Sequence, residues 1–310
     1  MTEDQKAIEL SDKLSFPVRA DQVIMSHTPF KSLLPQYSQS NVLVIGGDSC
    51  MQVAKDYGFV NAVSSFDIHN ANPNVYPLKR ADKKSPSATI TEAVGAHSID
   101  IQAALVFGES VNWGLDIQIL TDLSLSRTPS HTCSDATSGD REKPLPFPIY
   151  ACNADIVYSA THEKPRYTQG AFMHCFSSLL QHYTDSMRPP PGQVHRHDCA
   201  PLLPQIEFYG KPFRVQYDYA ELALASVAER SGVCAPIRYY GVGDNPRSDV
   251  RGANQAGPMW RSVLVRSGLF KGSENDWLDP ALYVEDDVLE AVNRIIAVEE
   301  ALAAGEANGE

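Results

Sequence analysis

The chain has 310 residues, 43% of them hydrophobic, and a formal net charge of −12, which gives length and apolar content enough for two domains with real cores. Its acidic balance, with a pI near 5.2, argues against DNA, RNA or any other polyanion as partner. No apolar run approaches the roughly eighteen residues needed to cross a bilayer.

The first residues show neither the Arg-rich, acid-poor character of a transit peptide nor a signal-peptide core. As written, the sequence therefore reads as soluble, untargeted and cytoplasmic. The six cysteines (Cys50, Cys133, Cys152, Cys175, Cys199 and Cys234) contain no Cys-x-x-Cys pair, so free thiols in a reduced compartment are expected.

In chain order, residues 3–15 predict an amphipathic helix with Ala7, Ile8, Leu10 and Leu14 on one stripe. Val23 to Met25 predicts a short strand, and Pro29 to Tyr37 a segment leaving the core. Ser26, His27 and Thr28 do not make a nucleophilic site, because sequence neighbours on a strand end point apart and no third group orients the base. Asn41 to Gly47 predicts a stronger strand, followed by a helix over 51–57. The Gly46-Gly47-Asp48 turn between them is read as a tight strand-to-helix connection. It does not continue into Gly-x-Gly-x-x-Gly, since Cys50, Met51 and Gln52 follow.

Ile101 to Phe107 predicts a strand and Gly114 to Leu123 a helix. Residues 124–148, rich in Ser, Thr, Asp and Pro, and residues 185–204, rich in Pro and His, predict long surface loops. The His195-Arg-His-Asp-Cys199 cluster lies in the second of these. It lacks a second paired half at zinc-ligand spacing, so no structural zinc is assigned. Between the loops, Asp155 of Asn153-Ala-Asp155 is read as a turn residue before it is read as a ligand contact.

The last third carries the chemistry. Asp218 to Arg230 has Ala220, Ala223, Leu224 and Val227 at helical spacing, Ser231-Gly232 stops it, and Ile237 to Val242 predicts a strand ending in Gly243-Asp244-Asn245-Pro246. Asp244 is thereby placed at the carboxyl end of a strand, where open α/β sheets bind ligands. Asp244 and Asp249 suit a hard cation such as Mg²⁺, which takes one or two carboxylates plus water and phosphate oxygens. Lys211, in Tyr209-Gly-Lys-Pro212, adds a positive charge for phosphoryl oxygens. A final helix over 284–304 is predicted to turn Val288, Leu289, Val292, Ile295 and Ile296 inward.

Lysine, helix, strand and aspartate in this order resemble motifs three and four of the haloacid dehalogenase (HAD) superfamily of phosphohydrolases, subfamily IIA, and most of all the group named after cat eye syndrome critical region protein 5. The stretches that carry the resemblance are Gln22 to Lys31, Trp113 to Ile119, Tyr150 to Asp155, Tyr209 to Pro212, Tyr217 to Ala220 and Gly243 to Asn254. The resemblance implies an α/β fold with a HAD-like Rossmannoid core and an inserted C2-type α/β cap domain. Residues 1–35 would be an N-terminal part of the core, 36–205 the cap with loops at 124–148 and 185–204, and 206–310 the C-terminal half of the core.

It also implies a Mg²⁺-dependent phosphatase of a small phosphorylated metabolite, such as glycerol phosphate or a related lipid precursor, and a mitochondrial location. Lys211 would be the motif-three lysine, Asp244 and Asp249 the metal positions, and Asn245, Asn153 and Asp155 substrate contacts. The sequence departs from the family in one respect. No Asp-x-Asp occurs anywhere in it, nor a Thr-Asn-Gly-Gly loop, and an aspartyl nucleophile cannot be replaced by groups that only stabilise charge. The core is therefore expected to lack its nucleophile strand. Two expectations stand side by side: a truncated, inactive form of a phosphatase, or a catalytically dead binding or regulatory protein.

Overall fold

Short apolar runs bounded by glycine or serine become neighbouring strands. In the computed structural model, which describes residues 1–78, 100–126, 146–158, 160–186, 203–234 and 236–307, the chain divides into two units. Unit 1 comprises Met1–Gln5 and Phe30–Phe208, and unit 2 comprises Lys6–Pro29 and Tyr209–Glu310. Helix α1 (Glu3–Leu14) begins in the first and runs into the second.

Unit 1 is built on strands β1 (Asn41–Ile45), β2 (Asn61–Ser64), β3 (Ala103–Val106), β4 (Pro148–Ala151) and β7 (Gln205–Phe208). They form one parallel sheet in the order β2-β1-β3-β4-β7. Every residue of β3 and all but the first of β1 and β4 are buried. That is why these strands read as continuous apolar runs without alternation: a parallel sheet is covered on both faces. Its connections are the helices α3 (Asp48–Tyr57), α4 (Ser65–Ala71), α5 (Trp113–Ser126) and α6 (Gln169–Ser186), with a short α2 (Leu34–Tyr37) ahead of β1.

One face turns Leu43, Ile45, Val63, Ala104, Val106, Ile149 and Ala151 onto α4, α5 and α6, among Leu115, Ile119, Phe172 and Phe176. At about 1.5–3 kcal/mol for each fully buried large apolar side chain, this layer is the main stabilising element of the unit. The other face is covered by aromatic rings. Phe30 and Phe59 meet Phe107 edge-on at 4.9 and 6.2 Å, and Tyr37 lies 5.8 Å from Tyr150. Helix α3 ends on Gly58 in the left-handed region (φ 110°), a glycine C-cap. Helix α4 starts on a capping box, in which Ser64 Oγ accepts from the Asp67 N–H (3.1 Å) and Asp67 Oδ2 accepts from the Ser64 N–H (3.0 Å). A small hairpin, β5 (Val157–Tyr158) with β6 (Arg166–Tyr167), follows β4.

Unit 2 has a parallel sheet in the order β10-β9-β8, made of β8 (Tyr239–Gly243), β9 (Trp260–Val265) and β10 (Tyr283–Glu285). Helix α7 (Arg214–Arg230) precedes β8, a turn of π-helix (Pro246–Val250) runs into α8 (Arg251–Gln255), and α9 (Val288–Ala307) ends the described chain. Trp260 organises the unit. It meets Tyr217 edge-on at 4.9 Å, stacks on Tyr239 at 5.1 Å, and its Nε1–H donates to Glu221 (2.8 Å). The loop before β10 is held by Asp279, which accepts from both Arg247 (2.6 Å) and Arg251 (2.8 and 2.9 Å). Those guanidiniums, Arg251 foremost, hold the Asp279 carboxyl below its usual range.

Several expectations are corrected. Val23 to Met25 forms no strand; a 3₁₀ turn at Ala20–Gln22 precedes it and only Val23 is buried. The stripe of α1 is not inward, since Ala7 is buried while Ile8 and Leu14 are exposed. In α9, Val288, Leu289, Val292 and Ile296 are exposed, and the helix meets the sheet through Ala291 and Ile295. The periodicity was real but did not reveal which side the small residue would win. Ser124–Ser126 complete α5, Asp185 and Ser186 complete α6, and Pro148 starts β4. Phe147 is buried just ahead of β4 and Leu203 is exposed; residues 127–145 and 187–202 of the two expected loops, with the His195–Cys199 cluster, lie outside the described residues.

Helix α9 is tied to β8 by charge as well as by packing. Arg238 donates two hydrogen bonds of 2.7 Å to Glu299, and the Tyr240 hydroxyl donates a third of 2.6 Å. Arg238 first and Tyr240 second pull the Glu299 carboxyl down to about 2. A depressed carboxylate stabilises the fold above the ordinary glutamate range and loses that contribution as pH falls toward its folded value. Unit 2 should therefore lose stability between about pH 4.5 and 2 through this residue, and Glu299→Gln should flatten that part of the profile. Thermal midpoints of both proteins across the window measure it; identical acid limbs would show that Glu299 does not couple α9 to the sheet.

Candidate functional site

The carboxyl end of β8 brings together the residues that the sequence singled out in the last third. Asp244 directly follows the strand, Asn245 caps the π-helical turn, and Asp249 lies within that turn. The extra residue of a π turn is often found at functional sites. Here it swings Asp249 back toward the chain that precedes it: Asp249 Oδ2 accepts from the Asn245 N–H (3.0 Å) and the Asp249 N–H donates to the Asn245 carbonyl (2.8 Å). Asn245 Oδ1 in turn accepts from the Arg247 N–H (3.0 Å), an Asx turn.

Lys211 reaches the same place from the loop before α7. Its ammonium donates to Asp249 Oδ1 in an ion pair whose carboxylate is nearly buried while the lysine is half exposed. The lysine thus offers protons to solvent or a ligand while its charge is fixed by Asp249. Both oxygens of Asp249 are engaged by the protein. Asp244 differs: Oδ2 accepts from the Leu269 N–H (2.5 Å), and among the described residues no hydrogen bond reaches Oδ1.

Two glycines make this packing possible. A Cβ on Gly243 would lie 2.2 Å from the Asp249 carboxyl carbon, and one on Gly268 would lie 1.9 Å from Asp244 Oδ2. Tyr217 supports the turn from below, its hydroxyl donating to the Asp249 carbonyl (3.3 Å). Burial, and then the charge of Asp249, raise the Tyr217 phenol, which stays a neutral donor.

Among the described residues, no three acidic, histidine or cysteine side chains converge in a way that would hold a metal ion. The chemistry of the donor set nonetheless suits one mode of binding. Mg²⁺ takes one or two carboxylates and fills the rest of its octahedron with water and phosphate oxygens, and Asp244 Oδ1 is a donor of that kind. An all-protein cage is not built here.

Asn153 and Asp155 lie in unit 1, just beyond β4. The Asn153 side chain is spent on the fold: Oδ1 accepts from the Asp155 N–H (2.9 Å), Nδ2 donates to Thr168 (3.3 Å), and its own N–H donates to Gln169 Oε1 (2.6 Å). The turn is pressed against α6, where a Cβ on Gly170 would lie 2.2 Å from the Ala154 carbonyl oxygen. Sequence reasoning missed Gln169, which also donates to the carbonyls of Val106 and Gly108 (both 3.1 Å) and so ties β3 to β4. Nothing in the sequence marks it. It missed Gly243 and Gly268 too, although a glycine directly before Asp244 was a legible sign of close approach.

Gly268→Ala should push Asp244 out of its seat, because the carboxylate oxygen, Cγ and Cβ of Asp244 would lie 1.9, 2.3 and 2.6 Å from the added methyl and rotation of the side chain alone cannot clear it. The far-ultraviolet spectrum is expected to stay unchanged while the Leu269 amide, deprived of its acceptor, exchanges with solvent at least tenfold faster, a loss of about 1.4 kcal/mol or more. Unchanged exchange at Leu269 would show that the glycine is not what seats Asp244.

Two family models match the chain, one described as HAD-hydrolase-like over residues 208–291 and one as haloacid dehalogenase-like hydrolase over residues 1–60. The chain is 32% identical over 305 residues to the cardiolipin synthase (CMP-forming) / mitochondrial hydrolase fusion protein of Schizosaccharomyces pombe, with 94% of this chain and 45% of that protein covered. It is 29% identical over 308 residues to a mitochondrial hydrolase of Saccharomyces cerevisiae, with 93% and 80% covered. It thus spans less than half of the first relative. Among solved structures it is similar to a possible sugar phosphatase of the HAD superfamily from Cytophaga hutchinsonii, with a TM-score of 0.54, 16% identity, and 87% and 70% of the two chains covered. Residues 1–60 and 208–291 thus match models of haloacid dehalogenase-like hydrolases, and the strand that ends at Asp244, with the Lys211–Asp249 pair beyond it, lies within the second stretch.

Proposed function

We propose that these 310 residues carry the charge-stabilising part of a Mg²⁺-dependent phosphatase site of the subfamily IIA kind, acting on a small phosphorylated metabolite. The observation that carries this reading is the Lys211–Asp249 ion pair beside Asp244 at the carboxyl end of β8. Lys211 would contact phosphoryl oxygens, Asp244 and Asp249 would serve Mg²⁺, and Asn245 would contact the substrate, with Asn153 and Asp155 contributing from the cap. Bound Mg²⁺ would neutralise charge developing on the phosphoryl group. The protein's own share is to hold Lys211 at a fixed distance from the carboxylates and to keep Asp244 oriented through the Leu269 amide.

The division into residues 1–35, 36–205 and 206–310, as parts of core, cap and core, belongs to the same proposal. So does a glycerol phosphate or related lipid precursor as substrate, supported by a relative whose name joins a mitochondrial hydrolase to a cardiolipin synthase. The names of both relatives favour a mitochondrial location.

The chain by itself would be inactive, because no Asp-x-Asp among its residues supplies an attacking carboxylate and a general acid. A second reading, a binding or regulatory protein without turnover, is favoured by one observation: both oxygens of Asp249 already have partners within the protein.

The 310-residue chain is expected to hydrolyse no generic phosphomonoester in the presence of Mg²⁺, and calorimetric titration should find only weak Mg²⁺ binding. Turnover that survives purification and disappears in Asp244→Asn would overturn the assignment. Joining to the chain a segment that bears Asp-x-Asp-Gly and Thr-Asn-Gly-Gly should produce phosphatase activity, which Lys211→Ala and Asp244→Asn each lower by about 10²–10³, the usual cost of removing one charge-stabilising group. A folded but inert product would favour the second reading.

A further inference from the structure

The five-stranded sheet of unit 1 has its own topological switch point. Its strand order sends the chain from β1 to one side, to β2, and from β3 to the other, to β4. Open parallel sheets bind ligands outside the carboxyl ends of the strands where the connections diverge, which here is between β1 and β3. Helix α3 takes the chain away from β1 on the face where Tyr57 and Phe59 pack on Phe107, whereas α4 and α5 lie on the other face. The end of β1 itself carries no side chain at Gly46 and Gly47, and a Cβ at Gly47 would meet nothing within 4 Å.

The segments that leave β1, β2, β3 and β4 share one sign of charge. Residues 46–50, 64–67, 107–116 and 152–155 contain Asp48, Asp67, Glu109, Asp116 and Asp155 and not a single Lys, Arg or His. Acidic rims are common on protein surfaces, but Asp116 is not on the surface. It is 2% exposed. Its Oδ2 accepts from the Ser110 hydroxyl (2.6 Å), while its buried Oδ1 has no hydrogen-bond partner among the described residues. The Ser65 hydroxyl lies near enough to favour the charged form of Asp116 without completing a bond to Oδ1. Ser65 follows β2 and Ser110 follows β3, and β1 lies between those two strands. The Asp116 carboxyl, bonded to the Ser110 hydroxyl, thus belongs to the connection that leaves β3, the strand next to β1. Among the described residues no Lys, Arg or His pairs with Asp116. A buried carboxylate with an orphan oxygen is costly unless something pairs with it, and burial pushes Asp116 above the usual carboxylate range.

We propose that the carboxyl end of the unit 1 sheet is a recognition site for a primary ammonium group, with Asp116 as its counter-charge and the hydroxyls of Ser65 and Ser110 beside it. A phosphate or carboxylate is excluded there by the acidic rim, and an uncharged donor would leave the carboxylate unneutralised. An ammonium group supplies both the missing charge and the missing hydrogen bond. This site is independent of the phosphatase reading of unit 2.

The test is a thermal-unfolding series on the full chain with methylammonium chloride, sodium chloride, potassium chloride and tetramethylammonium chloride at equal ionic strength. Methylammonium should raise the midpoint saturably, by a few degrees at about tenfold excess over its dissociation constant, and the other three should not. Asp116→Asn removes the counter-charge but keeps the shape; it should fold, be at least as stable as the parent at neutral pH, and lose the methylammonium effect. Ser110→Ala should weaken binding severalfold while leaving a saturable response. An equal response to sodium or potassium would mean a metal-ion site, an equal response to tetramethylammonium a surface-charge effect, and a methylammonium response retained in Asp116→Asn binding elsewhere. Each of these overturns the proposal, as does the absence of any saturable shift.

Discussion

A parallel strand cannot be joined to its neighbour by a tight turn; the chain must cross back over the sheet before it can run in the same direction again. Both sheets of this protein are parallel throughout, so both collect their strand-to-helix loops at one end. That end is where irregular backbone, glycine and polar side chains accumulate, because the middle of each strand is committed to apolar packing. In unit 1 the segments leaving β2, β1, β3 and β4 bring together carboxylates without a base. In unit 2 the corresponding end holds Asp244 and Asp249 with Lys211 against them. The same topology yields two electrostatically different edges, and the difference lies in residues that contribute nothing to the sheets themselves.

Close approach is the second requirement, and glycine meets it where charge has to be packed against backbone. Gly243 and Gly268 let two carboxylates lie where a methyl group would otherwise sit, and Gly170 lets the turn after β4 lean on α6. Each of these positions couples fold to site. Substitution would displace an aspartate of the candidate site, its Cβ included, in the first two cases and would press directly on main-chain carbonyls in the third. The Asp279 pairings with Arg247 and Arg251 act similarly at longer range: one end of this clamp is in the π-helical turn, so the loop before β10 steadies the turn that carries Asp249.

What the sequence made legible follows from these constraints. The continuous apolar runs Asn41–Ile45 and Ala103–Val106 could be recognised because buried parallel strands lack alternation, and Asp244 could be placed because the turn signal Gly-Asp-Asn-Pro follows the β-rich stretch 237–242, although only Tyr239 of β8 is buried. The Lys211–Asp249 contact was less accessible. Thirty-eight positions separate the two residues, and only the crossover through α7 brings them together. The inward face of α9 was misread because hydrophobic periodicity fixes a stripe but not its partner. Arg238, Tyr240 and Glu299 set the helix on β8 by a polar contact, leaving Val288, Val292 and Ile296 outside. Asp116 was passed over inside an apolar helix, where an acidic residue reads as solvent-facing until the fold shows it buried.

One feature of β8 supports the proposed half-site reading of unit 2. Among the described residues β8 pairs only with β9, leaving one edge of the strand that delivers Asp244 without a partner strand. Exposed Ile237 lies beside the start of that strand, and Val242 on it is more than a third exposed. Parallel strands are seldom left this way, since an open edge invites pairing with other chains. Lys211 and Asp249 neutralise each other, and Asp244 is turned toward the Leu269 amide. On the proposed reading these groups would hold a phosphoryl group's charge without themselves forming or breaking a bond to phosphorus. On that reading, a group approaching from the open side of β8 would meet the exposed apolar side chains and the Asp244 oxygen that has no hydrogen bond among the described residues in the same event.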